Sequence, residues 1–503
     1  MKPLSPTDSM FLWMETRSQP MHVAGLNLYT PAKGAGPDYL RRLVEGWRQH
    51  LQAVPPFNQR PVLKLGRWYW EADQDFELDY HLRHVALPQP GRIRELLAMV
   101  SRVHGNLLDR NRPLWEAYVI EGLPGGRFAT YIKVHHALVD GVSGAKMMAD
   151  GLSRSAAEMK PPLWAQTFGK RAAAPGGTMV DRLVKSAVEA ARATGEILPG
   201  VGSGLWELVR SSQAAAGATT PYEAPPTPFN TEITGSRRFA AQSYSLERLR
   251  QIGKATGATV NDVTLAICAG ALRRHLLSQN ALPKTPLTAM VPVSLHGDPS
   301  AGDEGGNQVA LLLANLATHI ADPVKRLQRI IASTTAAKQQ LSKMSRLQKI
   351  AHGAAMLAPA GVSLVTGHAR KRPAFNLVIS NVPGPRETLY LDGARLDEVY
   401  PVSIPSHFLA LNITISGYGD HLGFGYIACR RAVPALQRML DYTDEAIAEL
   451  ELAVSQASQP APVTRARPSK VAAAAPGAAR KRSPRPASAN VVAKTPRRST
   501  AAT

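Results

Sequence analysis

The sequence predicts a mixed α/β (α+β) protein with two cores and a tail that joins neither. Three observations predict it. The 503 residues suffice for two sizeable cores, at roughly 100–200 residues per domain. Strand-like and helix-like segments interleave in both halves. From Gln456 to Thr503 there are ten basic and no acidic residues among Ala, Pro and Ser, a composition too poor in large apolar groups to offset the entropy of ordering. The expected divisions are a first unit at 1–178, a helical crossover and linker at 179–227, a second unit at 228–455 and a disordered basic tail at 456–503.

Within the first unit, Phe128-Ala129-Thr130-Tyr131-Ile132-Lys133-Val134 is aromatic and β-branched and reads as a strand. It runs into His135-His136-Ala137-Leu138-Val139-Asp140-Gly141. Side chains alternate along a strand, so a strand reaching both histidines turns one to a pocket and the other to the protein. Gly141 permits a backbone closed to other residues, and a helix follows over about 142–152. In the crossover, Met179, Val180, Leu183, Val184, Ala187, Val188 and Ala191 keep a helical period. That segment reads first as a packed helix, and alternatively as a membrane-contacting one with Arg182, Lys185 and Arg192 toward head groups. A second helix is expected at 205–213, and the Ala, Thr and Pro of 214–227 suit an exposed linker.

The second unit carries helical patterns at 245–254 and 260–276 and strands at 287–293 and 376–380. Asp322-Pro323 is a helix start, an N-cap followed by proline at the first position. Leu409, Leu411, Ile413 and Ile415 alternate, and Leu422, Phe424 and Tyr426 repeat the pattern after Gly417-Tyr418-Gly419-Asp420. That is a hairpin. Cys268 and Cys429 are the two cysteines and read as buried free thiols. Met1-Lys2-Pro3-Leu4 lacks the apolar stretch expected of a signal peptide, and no run approaches the roughly 18 apolar residues of a membrane span.

The His-His pair carries the chemistry. An imidazole, with its pKa near 6.5, can take a proton from a hydroxyl at neutral pH and pass it on. The bland reading is two polar residues at a strand end. A metal reading needs His136 and Asp140 on one helical face; the strand before them and Gly141 after them argue against that, and no Cys or Glu completes a ligand set. Asp140 reads as a structural carboxylate that orients the loop. Asn261-Asp262 stands at a helix start, where capping is the ordinary role. Pro113-Leu114-Trp115 reads first as core, and Asn381-Val382-Pro383-Gly384-Pro385 as a rigid turn.

The HHALVDG run resembles the active-site motif of the acyl-CoA-dependent acyltransferase superfamily, which includes chloramphenicol acetyltransferase and peptide-synthetase condensation domains. The wider sequence is similar to the bacterial wax ester synthase/diacylglycerol acyltransferase family. The likeness rests on Leu4-Ser5-Pro6-Thr7-Asp8-Ser9-Met10-Phe11, Met21-His22-Val23, Asp79-Tyr80-His81-Leu82-Arg83-His84 and Asp109-Arg110-Asn111-Arg112-Pro113-Leu114-Trp115-Glu116. Asn261-Asp262-Val263 and Ser380-Asn381-Val382-Pro383-Gly384-Pro385 continue it in order. It covers roughly residues 1–450.

The resemblance implies two chloramphenicol-acetyltransferase-like sandwich domains with the active site in a channel between them. It implies an acyl-CoA:alcohol O-acyltransferase with His136 as general base, direct attack on the thioester, and no cofactor beyond acyl-CoA as co-substrate. The acceptor is diacylglycerol, a long-chain alcohol, or both. His135, Asp140, Gly141 and Asn261 join His136 as candidate catalytic residues, and Pro113, Leu114 and Trp115 as candidate substrate contacts; no metal is expected. Gly-x-Ser-x-Gly is absent, so an acyl-enzyme is not favoured. The place implied is cytoplasmic, at the inner membrane face or lipid inclusions. Net charge is +21, and without the tail's ten it is +11. The tail lacks the aromatic interleaving of a nucleic-acid binder, so no specific nucleic-acid partner is expected. A non-catalytic lipid-droplet coat has no need of an intact HHxxxDG.

Overall fold

The computed structural model describes residues 1–139, 141–168, 219–294, 309–344 and 370–457. The expected crossover helices and the basic tail lie outside the described residues.

The first half runs β1 (Lys2–Pro3), α1 (Pro6–Met14), β2 (His22–Thr30), α2 (Tyr39–Arg48), β3 (Gln59–Lys64), β4 (Arg67–Ala72), α3 (Leu78–His81), β5 (Leu82–Ala86), α4 (Ile93–Val103), β6 (Trp115–Glu121), β7 (Phe128–His135) and α5 (Gly141–Asp150). The second runs β8 (Arg237–Ser245), α6 (Leu246–Thr256), α7 (Val260–Ser278), β9 (Thr288–Ser294), β10 (Val309–Asn315), α8 (Pro323–Ser342), β11 (Leu377–Val382), β12 (Tyr390–Leu391), β13 (Ala394–Val402), β14 (Leu411–Tyr418), β15 (His421–Cys429) and α9 (Arg438–Ala457).

Two six-stranded sheets form the frame, in the orders β12-β13-β2-β7-β6-β5 and β10-β9-β11-β14-β15-β8, with a small sheet β1-β4-β3 beside the first. β6 and β7 are buried almost throughout, as central strands covered on both faces are. α6, α7, α8 and α9 share one core with the second sheet. Asp322 caps α8 as expected, accepting from the Val324 and Lys325 N–H groups. The 411–429 hairpin also forms, with Tyr418 opposite His421.

The boundary expected between the units is crossed. β12 and β13 come from the second half yet complete the first sheet, β13 pairing with β2 from Arg395↔Thr30 to Val402↔Ala24. Residues 1–458 form one compact unit. The expected exposed linker also needs correction at its end, where Thr219, Thr220 and Ala224 are buried. Asn376 Nδ2 donates to Pro225 O at 2.6 Å, so 219–227 is fastened to the second sheet.

The two sheets touch through a core shared by Leu26, Tyr131 and Val402 on one side and Phe239 and Ile427 on the other. At this seam the backbone of β13 lies directly on β15. A Cβ at Gly423 would collide with the Val399 carbonyl, and one at Gly425 with that of Pro401. Because the obstacles are backbone, nothing can rotate away. Gly425→Ala is therefore expected to destabilise the protein by about 3 kcal/mol, the upper range for overpacking. A urea midpoint equal to that of the wild type would contradict this packing.

Candidate active site

The two histidines part company because β7 ends between them. His135 is its last residue, opposite His22 in β2, and its N–H donates to Leu114 O at 3.0 Å. His136 begins a turn, its own N–H held by Met21 O at 2.8 Å. The reversal is made here, with the Leu138 N–H on His135 O at 2.9 Å.

The His135 ring is fully buried. The Ala137 N–H donates to its Nδ1 at 3.1 Å, so the proton sits on Nε2, which faces Glu15 Oε1 at 3.4 Å. Glu15, just past the end of α1, also takes the Met21 N–H at 3.0 Å and pairs with Arg110 at 3.1 Å. Burial alone would raise its carboxyl. The contact with His135, the Met21 N–H and Arg110 outweigh burial and hold it below its ordinary value. His136 is half-buried, its ring stacked on Phe11 with centroids 4.1 Å apart and planes at 18°. One imidazole is locked inside, and the other is presented on an aromatic platform.

Behind them lies a buried polar layer. Lys133 on β7 stands opposite Glu116 on β6 and pairs with it at 3.0 Å; burial draws the ammonium below its usual range, against the pull of Glu116. His22 donates to His104 O at 2.8 Å. His104 lies between the Tyr131 hydroxyl at 2.7 Å and Ser403 O at 2.9 Å. Burial pushes His22 well below 6.5, His104 down to about 3 and His81 down to about 4. In the unfolded chain each would titrate near 6.5. Below that pH the unfolded state takes up protons that the folded state refuses. Their stabilisation is thus complete above about pH 6.5 and falls by roughly 1.4 kcal/mol per histidine for each unit toward pH 4. The urea midpoint should be clearly lower at pH 5 than at pH 7.5; equal midpoints would mean that these rings are charged in the fold.

Asp140 lies outside the described residues. Gly141 differs from expectation. It opens α5 without left-handed backbone, and a Cβ there would meet nothing within 4 Å. The turn at 136–139 has already reversed the chain, so no glycine conformation is needed. Pro113, Leu114 and Trp115 are all buried. Trp115 stacks on His81 and Trp164 with centroids 4.5 and 5.5 Å away, and its indole N–H donates to Phe57 O at 2.8 Å. These three residues therefore sit in the core behind the motif, and Leu114 O holds the His135 backbone.

In the second half the cap is Thr259, not Asn261. Thr259 accepts the Asp262 N–H at 3.2 Å, and Asp262 returns the bond to the Thr259 N–H at 3.1 Å. Thr334 adds a bond to Asp262 at 2.7 Å. Asn261 is left free of capping, and its Oδ1 takes the Asn381 Nδ2–H at 3.5 Å. Two separated motifs thus meet.

The profile of the wax ester synthase/diacylglycerol acyltransferase catalytic domain matches residues 4–264, and that of the family's C-terminal domain matches 305–451. The chain belongs to this family. "Probable diacyglycerol O-acyltransferase tgs2" of Mycobacterium tuberculosis is 44% identical over 459 residues, covering 90% of this chain and 99% of that protein. "O-acyltransferase WSD" of Acinetobacter baylyi is 43% identical over 452 residues, covering 89% and 96%. The solved wax ester synthase/diacylglycerol acyltransferase from Marinobacter aquaeolei VT8 is 43% identical with a TM-score of 0.73, covering 90% of this chain and 100% of that one. The first condensation domain of the CDA synthetase, 17% identical over 91% of this chain and 97% of that one, shares the fold with a TM-score of 0.53. The protein is an acyltransferase of the wax ester synthase/diacylglycerol acyltransferase family, built of two chloramphenicol-acetyltransferase-like halves.

Family motifs far apart in this chain close on the same strand end: Phe11, Met21 and Leu114 each touch one of the two histidines, and Arg110 reaches His135 through Glu15. Glu15 was missed from sequence. Its only local sign is a lone acid after an otherwise apolar helix end, Phe11-Leu12-Trp13-Met14.

Proposed function

We propose that this acyltransferase moves the acyl group of acyl-coenzyme A onto the hydroxyl of diacylglycerol, and also onto long-chain alcohols, in a channel between its two halves. The observation that carries the reading is the divided pair: His135 locked on Glu15 and Ala137, His136 half-buried against Phe11. His136 takes the acceptor's proton as its oxygen bonds to the thioester carbonyl carbon. The tetrahedral oxyanion then collapses, the carbon–sulfur bond breaks, and the coenzyme A thiolate recovers the proton from the imidazolium. Atoms and protons balance without a cofactor. Asn261, braced by Asn381, is the proposed polar support from the second half. Leu114 and Trp115 act by positioning the strand.

Both acceptors are proposed because the solved Marinobacter relative is named for both activities. The test is purified enzyme with labelled palmitoyl-coenzyme A, offered diacylglycerol and hexadecanol in parallel, with products separated by chromatography. Transfer to neither would overturn the assignment.

The acceptors' long chains place the reaction at a lipid surface, and two features support peripheral contact there. One is the basic tail. The other is the β3–β4 hairpin, whose Leu65 is fully exposed at φ 48°, a position better suited to Asn or Gly. Leu63, Met1 and Trp13 are exposed with it, beside Lys2, Lys64 and Arg67. No single described helix is long and apolar enough to cross a membrane. Sedimentation with anionic vesicles at low salt should fall on truncation after Ser458 and again with Leu63→Ser/Leu65→Ser, since basic residues near such a surface contribute about 1 kcal/mol each. Unchanged sedimentation of both variants would remove the membrane from the reading.

A further inference from the structure

Where the two halves meet, a cleft of about 800 Å³ is lined by Arg17, Arg102, Arg237 and Arg430, by Ser and Thr residues, and by no acid. That volume falls in the range of small-molecule sites. The four arginines come from four separate segments: the turn after α1, the end of α4, the start of β8 and the residue after β15. Among the described residues none of them forms an ion pair.

Arg237 is the telling member. It is 5% exposed, and a buried guanidinium is ordinarily matched by a carboxylate. Its partners are instead the carbonyls of Thr234, Ser236 and Ser18, the last at 2.9 Å. Three of five N–H donors are thereby used. Burial draws its pKa down to about 10. The C-terminal dipole of α4 contributes only about half a negative charge nearby, small against four cations. The walls are backbone packed on backbone. A Cβ at Gly105 would stand 2.7 Å from Gly235 O, and one at Gly235 would stand 2.9 Å from Arg17 O. The cleft's shape is thus set before any ligand arrives.

We propose that this cleft binds a phosphate-bearing ligand, its phosphate oxygens held by Arg17, Arg102, Arg237 and Arg430. Planar guanidinium forks match phosphate in pairs of bonds. Two sources carry that chemistry, the nucleotide end of coenzyme A and a phosphomonoester lipid headgroup. The first rests on the acyl-coenzyme A reading above; the cleft itself does not. It also abuts the histidine layer, because Glu15 lies two residues before Arg17 and Lys133 Nζ donates to Asn106 O at 3.2 Å.

The test uses the full chain, without turnover. Adenosine 3′,5′-bisphosphate is titrated calorimetrically, and phosphatidylcholine vesicles with and without phosphatidate are co-sedimented, each at low and high salt. Arg102→Gln/Arg430→Gln alters exposed, unpaired side chains and should weaken binding of the recognised probe at least tenfold, with unchanged melting. Arg237→Lys keeps the charge but loses the fork and should also weaken it. Binding of the bisphosphate alone assigns the nucleotide; binding of phosphatidate vesicles alone assigns the lipid. Neither probe binding an enzyme that still transfers acyl groups, or equal binding by wild type and both variants, overturns the cleft proposal and leaves the acyl-transfer reading standing.

Discussion

His136→Ala should abolish nearly all acyl transfer while leaving the protein folded. Loss of a general base costs roughly 10²–10⁴-fold in rate, because the acceptor hydroxyl is then deprotonated only by water. The fold should survive, since the half-buried ring's stack on Phe11 is worth only about 0.5–1.5 kcal/mol and the backbone bond to Met21 O stays. His135→Ala should show the opposite balance. It opens a cavity beside the buried Glu15 carboxylate, so stability should fall further than for His136→Ala and the rate less far. Single-turnover transfer and urea unfolding on both variants check this. Wild-type rates from His136→Ala would end the general-base mechanism.

Glu15→Gln should carry the second largest effect, on rate and stability together. The carboxylate side chain is 2% exposed and its Arg110 partner 36%. Removing one member of a fully buried pair costs roughly 3–5 kcal/mol, and the partial exposure of Arg110 lowers this to about 2–3 kcal/mol. The rate should fall because His135 loses the carboxylate that faces its Nε2 and, through the shared turn, the seat of His136 is loosened. The defect should appear in kcat with KM nearly unchanged, since the Glu15 side chain is buried behind the histidine pair. A change in KM alone would move Glu15 from positioning to binding.

What was legible in the sequence follows from what local pattern can encode. β7, the Asp322–Pro323 start of α8 and the hairpin of β14 and β15 are written in runs of neighbours, and each forms where its pattern stands. That the two histidines are treated differently was also readable from strand geometry, although the strand stops at His135 and the turn makes the division. Glu15 meeting His135, and Asn261 meeting Asn381, join residues 120 positions apart, and no period announces them. Gly141 was misread because its neighbours, and not its own backbone, turn the chain. Thr259 was overlooked as a cap because Asn261-Asp262 beside it has the more familiar capping composition.

The placement of β13 has a consequence for how the chain is made. β2 borders β7 on one side and β13 on the other, and β13 is synthesised about 270 residues after β7. At roughly 5–20 residues per second, β2 stands as an open edge for about 15–50 s, with Leu26 and Leu28 beneath it. Exposed edges of this kind invite pairing with other chains. The first half therefore completes its sheet only once Val402 has emerged, and the buried His104 gains its bond to Ser403 O only then.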